Sequence, residues 1–153
     1  MNYNQHIMTS DTYISKNNYC VKENVSLTEY KMHKYVYNLD IIKIPKIYSY
    51  DKETQIMVQQ RIPNESIAYN YGENPEDCPK ELFDKIRGTI HILYNNHIEY
   101  PVITGYKFIE YQNKIWVIDF EHAKFIGANS EKERDPFVEK FIYGFNGWNP
   151  KYL

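Results

Sequence analysis

Two hydrophobic periods alternate along this chain. Short alternating runs at residues 12–15 and 19–22, separated by Lys16, Asn17 and Asn18, predict one β-hairpin. Residues 47–50 and 55–59 predict a second, around Asp51, Lys52, Glu53 and Thr54. Between them the period becomes helical. Ser26, Leu27, Thr28 and Glu29 fit a capping box, and Glu29, Met32 and Val36 fall at i, i+3 and i+7. The spacing predicts a helix from Ser26 to about Leu39 that turns Glu29 toward the core. A longer helix starts at Pro79 and carries Leu82, Phe83, Ile86, Ile90 and Leu93 toward Asn95 and Asn96. Gly88 in its middle costs about 1 kcal/mol relative to Ala and suggests close packing against a neighbour. Residues 66–72 and 136–143 predict shorter helices, and the polar, aperiodic residues 1–11 a frayed start.

The stretch from Glu99 to Lys124 carries the most information. It reads as a loop, a strand at 108–111, a turn of Gln112, Asn113 and Lys114, and a very apolar strand at 115–118 that delivers Asp119. A carboxylate at the end of a buried strand is costly unless a cation, a metal or hydrogen-bond donors await it.

This layout resembles the catalytic segment of the protein-kinase-like superfamily, which includes small-molecule kinases such as the choline and aminoglycoside phosphotransferases. There a His-x-Asp loop supplies the base, an Asn five residues later binds magnesium, and a hairpin presents a second metal-binding Asp in Asp-Phe-Gly. Asp119 and Phe120 match that pattern, with Glu121 in place of the Gly. Tyr100, Pro101 and Val102 stand where His-x-Asp belongs, and Lys107 holds the Asn position at the expected spacing. The resemblance implies a kinase-like fold that has lost its catalytic chemistry, with Asp119 a vestigial metal ligand.

The same resemblance assigns further positions. Lys22 matches the strand Lys that binds phosphates, and its plain reading is an exposed Lys at a strand end. Glu29 matches the helix Glu that pairs with that Lys, and is otherwise the reciprocal arm of the cap. Gln60, within residues 59–63, falls at the hinge that binds adenine through its backbone. No Gly precedes Gly72, so the Gly-rich loop that covers phosphates has no counterpart. His91 and His97 lack a second ligand at metal-binding spacing and read as packing or surface residues.

Val102 cannot accept a proton, and general-base assistance is worth roughly 10²–10⁴ in rate. Neither Glu99, Glu110, His122 nor Tyr100 is an evident replacement. Lys107 has three donors, no acceptor and a positive charge that repels a divalent cation. An ion pair between Lys107 and Asp119 in place of a metal site is therefore expected, the alternative being a Lys107 directed to solvent.

Composition narrows the classes. The 153 residues can bury one ordinary core or two small lobes. A net charge of -2 and a pI near 6.2 give no electrostatic case for nucleic acid or an anionic membrane. Cys20 and Cys78 lack zinc-type spacing, and no secretory or transmembrane run occurs, which suggests a reducing cytoplasm where the sequons at Asn24 and Asn64 are irrelevant. Abundant Tyr, Ile and Asn suggest an AT-rich genome such as that of a large DNA virus, and then a host cytoplasm. The residues after Asp119 are too few for a peptide-substrate platform, and the aromatic tail at 145–153, with Trp148 and Tyr152, is expected to pack as core.

The expectation is an α+β chain with a minimal bilobal protein-kinase-like fold. It has a small β-rich N-lobe at 1–61 and a truncated helical C-lobe with its tail at 62–153. The function expected is that of a pseudokinase, a binding or regulatory module whose partner is another protein. ATP is the candidate cofactor and magnesium is not expected. The alternatives are an atypical ATP-dependent phosphotransferase on a small molecule, using Lys22 and Asp119, and a scaffold that never binds nucleotide.

Overall fold

The computed structural model describes the backbone of residues 12–14 and the whole of residues 18–127 and 134–153. The expected frayed start, and Lys16 and Asn17 of the first turn, lie outside the described residues.

The fold is mixed α+β. Strands β1 (Thr12–Ile14), β2 (Tyr19–Lys22), β3 (Ile47–Asp51) and β4 (Ile56–Gln60) form an antiparallel sheet in the order β1-β2-β4-β3. Alternation sends Cys20 and Lys22 of β2, and Met57 and Gln59 of β4, to the buried side. Both strands of the second hairpin lie up to one residue later than the pattern predicts. Gln55 adopts a positive φ of 58° and belongs to the turn.

Helix α1 (Leu27–Leu39) follows β2, with Ser26 as its N-cap accepting from the Glu29 N–H at 3.1 Å. Glu29, Met32, His33 and Val36 are buried. Asp40 ends the helix in the left-handed region and donates its N–H to the Tyr37 carbonyl. Helix α2 (Ile67–Tyr71) is short. Helix α3 (Lys80–Asn95) presents Leu82, Phe83, Ile86, Ile90 and Leu93 to the core, as its spacing predicts, while His91 and His97 are exposed.

Strand β5 (Ile98–Glu99) pairs with β8 (Lys124–Phe125), and β6 (Phe108–Tyr111) with β7 (Lys114–Val117). The β6–β7 turn has two central residues, not three, because Gln112 and Asn113 both take positive φ, 51° and 63°. That twist suits a two-residue hairpin and frees Lys114 to pair with Tyr111.

One hydrophobic cluster runs from Met32 and Val36 through α3 and the β6–β7 hairpin to Val138, Phe141 and Trp148. Helix α4 (Pro136–Ile142) begins at an Asp135 cap; in the tail beyond it Trp148 and Tyr152 pack on the core as expected, while Phe145 and Leu153 stay exposed. Trp148 is buried with its ring 4.6 Å from that of Phe83. Arg87 of α3 locks the tail by donating to the carbonyls of Phe141 (2.7 Å) and Phe145 (2.9 Å). Among the described residues no helix is long and apolar enough to cross a membrane.

Two glycines invert the expectation for Gly88. No heavy atom lies within 4 Å of the place a Gly88 side chain would begin, so this glycine serves no close contact. Gly105 does: a Cβ there would stand 3.0–3.2 Å from Ala68, whose N–H donates to the Gly105 carbonyl. Ala substitution should therefore have opposite signs at the two sites. Gly88→Ala should stabilise by up to about 1 kcal/mol through helix propensity. Gly105→Ala should destabilise by about 1–3 kcal/mol through overpacking. Urea unfolding of both variants checks this, and equal signs would refute it.

Candidate functional site

Four charged side chains meet beneath the sheet. Hairpin register places two of them. The Ile118 N–H donates to the Lys107 carbonyl at 3.2 Å, one step beyond the Phe108–Val117 pair, so Lys107 and Asp119 flank the open end of the β6–β7 ladder. There the Lys107 Nζ lies 2.7 Å from the Asp119 Oδ2. Strand β2 brings Lys22 from above, its Nζ 3.5 Å from the Asp119 Oδ1. The capped first turn of α1 supplies Glu29, hydrogen-bonded and ion-paired to Lys22.

Lys22, Glu29 and Asp119 are 1%, 3% and 2% exposed, so three charges are withdrawn from water almost completely. Lys107 is 6% exposed, and the solvent-directed alternative for it does not hold. Of the two readings of Lys22, the exposed strand end likewise fails. Of the two roles weighed for Glu29, the structure shows the pairing: its N–H donates to the Ser26 hydroxyl oxygen, but its carboxylate holds Lys22 and does not form the reciprocal arm of the cap.

The electrostatics follow from this packing. Burial alone would raise the Asp119 carboxyl, but the Lys22 and Lys107 ammoniums and the Glu121 N–H (2.8 Å from Oδ1) outweigh it and hold the pKa at about 2. Burial alone would lower Lys22, and the charges of Asp119 and Glu29 outweigh it in turn, so its pKa is raised. Glu29 moves the other way from Asp119: burial raises its carboxyl pKa more than the Lys22 ammonium lowers it.

A divalent cation does not fit this arrangement. Both Asp119 oxygens already accept from the chain's own donors, and Lys107 brings an ammonium where a second oxygen ligand is required. Among the described residues no group of three or more His, Cys, Asp or Glu side chains could hold a metal. Lys22 keeps a third N–H beyond its two carboxylate partners, and its burial at 1% exposure, not that pairing, stands between it and a phosphate.

The loop between β5 and β6 lacks a base. Val102 is buried. The Tyr100 hydroxyl donates to the Asp119 carbonyl, and burial raises its pKa well above the ordinary value. Glu99 is buried, accepts from the Asp135 N–H at 2.9 Å and lies 3.7 Å from Lys124. Glu110 pairs with Lys85 at 3.3 Å on the hairpin. His122 is half-exposed and lies beside Val102, Lys107 and Glu121 on a cavity of about 330 Å³. Gln60 stands apart from the cluster, tied to Lys46 through its own N–H (2.7 Å) and its side-chain oxygen (3.1 Å).

Three contributors had weak sequence signals. His33 lies one turn after Glu29 and is fully buried, with Nε2 2.7 Å from the Pro45 carbonyl and its ring 5.2 Å from Phe120. The i, i+4 spacing from Glu29 could have flagged it. Asn149 is buried in the tail, donating to the carbonyls of Pro101 (2.7 Å) and Ile103 (2.8 Å), and so fixes the loop that carries Val102. Gln59 keeps a buried side-chain oxygen without a partner, on the same face of the sheet as Lys22. Nothing in the sequence distinguishes Gln59 or Asn149 from surface amides.

No protein-family model matches the sequence, and none of the curated proteins matches it. Among solved structures, the kinase PK-1 of Cydia pomonella granulovirus is similar, with a TM-score of 0.54 over 71% of this chain and 12% sequence identity. This chain covers 44% of that kinase, less than half its length. At such identity the likeness shows the fold alone, and the fold is protein-kinase-like.

Two predictions test the cluster. Lys107→Ala leaves a buried carboxylate short of a cation and should cost about 3–5 kcal/mol of stability. Lys80→Ala, at the solvent-exposed pair with Asp84, should change it little. Equal urea midpoints for the two variants would dismiss the cluster. Burial, reinforced by the Lys22 charge, lowers the His33 pKa from 6.5 to about 4, although the Pro45 carbonyl and Asp119 oppose it. A depressed histidine is neutral in the fold while its unfolded form takes up a proton. Stability should therefore fall as pH drops from about 6.5 to 5, by up to about 1.4 kcal/mol per unit. His33→Gln should flatten that slope, as measured by unfolding across the range.

Proposed function

We propose that this chain is a catalytically inactive, kinase-like module that works by binding another protein. The observation that carries the reading is the Lys107–Asp119 ion pair, 2.7 Å long, beside a loop with Val102 in the base position. In the superfamily that the fold resembles, those positions supply an oxygen ligand to magnesium and a base for the accepting hydroxyl. Here they supply an ammonium and an isopropyl group. Phosphoryl transfer needs charge stabilisation at the transferring group. The carboxylate that would contribute to it through a metal is instead neutralised by the protein itself.

The finer architecture belongs to the same proposal: a β-rich N-lobe at 1–61, with α1 as its regulatory-type helix, and a mainly helical C-lobe at 62–153. Lys22, Glu29 and Asp119 then occupy the nucleotide-facing positions, and Gln60 the hinge.

The burial of Lys22, Glu29 and Asp119 favours one version of this reading, a scaffold that never takes up nucleotide. Two ammonium groups and two carboxyl groups already hold one another there. A nucleotide phosphate would have to reach Lys22 through packing that leaves it 1% exposed. The enzyme alternative would need an unassigned base, with the cavity beside His122 as the place for a small substrate.

Thermal unfolding with and without ATP, each with magnesium and with a chelator, separates the three. A ligand at 100 times its Kd adds about 2.7 kcal/mol, several degrees for a domain of this size. The scaffold predicts no shift under any condition. A metal-independent shift with ATP would establish a nucleotide-binding pseudokinase, and a shift that requires magnesium would overturn the inactive reading. Val102→Asp with Lys107→Asn restores the two missing side chains, and gain of ATP hydrolysis there would assign the loss of activity to those positions.

A further inference from the structure

We infer that the groove between α3, the loop after α1 and the β6–β7 turn is a docking site for an acidic segment of a partner protein anchored by apolar side chains. The groove encloses about 420 Å³. Its floor is Gly88, an exposed glycine in the middle of the chain's longest helix, with no heavy atom within 4 Å of where a side chain would begin. Such a glycine weakens the helix and gives the fold no packing in return. What it does provide is open space on the groove's lining where a side chain would otherwise stand. Apolar walls flank it: Ile41 and Ile42, partly buried against the core, on one side, and Ile92, 40% exposed, on the other.

The rim selects the charge of the occupant. Lys43, Lys85 and Lys114 line the groove against a single carboxylate, Asp40, in a chain whose net charge is -2. The groove is thus locally positive on a weakly acidic protein. Lys85 is shared with Glu110 at 3.3 Å and with Asn113, which leaves the exposed Lys43 and Lys114 as the main attraction. Both are carried on rigid backbone: the Lys43 carbonyl accepts from the Val117 N–H at 3.0 Å, and Lys114 opens β7. Apolar depth with a cationic rim fits a peptide that alternates Leu or Ile with Glu or Asp. None of the four cluster residues lines the groove.

Fluorescence anisotropy with the full chain and two labelled peptides tests it, one alternating Leu and Glu and the other with each Glu replaced by Lys. The acidic peptide should bind saturably, more weakly at high salt, and the basic peptide should not. Gly88→Met begins in open space on an exposed helix face, so its thermal midpoint should not fall while its affinity for the peptide drops at least about tenfold. Lys43→Glu with Lys114→Glu should also lose binding. No saturable binding of the acidic peptide, equal binding of both peptides, or an unchanged affinity in Gly88→Met would overturn the proposal. So would equal competition by a single-stranded oligonucleotide, which would mark a general polyanion surface. Sedimentation that shows a dimer abolished by Gly88→Met would reassign the groove to a second copy of the chain.

Discussion

Four charges buried in one place hold this structure to its sequence. Withdrawing an isolated ammonium or carboxylate from water costs several kcal/mol, so Lys22, Glu29, Lys107 and Asp119 are acceptable only together. Their signs balance, and each comes from a different element: β2, α1, the loop before β6 and the end of β7. The cluster therefore joins the sheet to the hairpin more specifically than apolar packing does. A slipped register in β2 or β7 would bury a charge alone. The adjoining ring packing obeys the same constraint, with Phe120 between Tyr100 and His33, and the Tyr100 hydroxyl on the Asp119 carbonyl.

Much of this was legible in the chain because it rests on local periodicity. Helix α3 repeats its apolar residues at clear helical spacing, the Ser26 cap marks the start of α1, and the spacing of Glu29 with Met32 and Val36 marks its inward direction. Asp119 could be singled out because a carboxylate after four apolar residues demands a partner, and Lys107 could be offered as that partner because it has no acceptor of its own. What remained hidden depends on contacts between distant segments. Asn149 reads as one more polar residue in an aromatic tail, yet it holds the Pro101–Ile103 backbone. The function of Gly88 was misread for a related reason. Its cost is visible locally, but whether a neighbour fills the space is a property of the tertiary structure, and none does.

The turn between β6 and β7 shows how a one-residue difference arises. Lys114 is charged and sits beside two turn-forming residues, so pattern alone assigns it to the loop. The backbone assigns it to the strand, because two consecutive positive φ values already complete the reversal. The consequence reaches the surface, since Lys114 is then held at the lip of the groove above Gly88.

The relation between the cluster and catalysis turns on exchange. A kinase cleft works with a metal and a nucleotide that arrive together and leave after transfer, so its acidic ligands must tolerate being uncovered between turnovers. A Lys side chain in the metal's role is covalently attached and cannot leave. Its attraction for Asp119 lowers the carboxyl pKa in the resting fold, and the same attraction lowers the affinity of any cation that competes for it. An ammonium against Asp119 and a divalent cation there are thus competing states, and the resting fold holds the first.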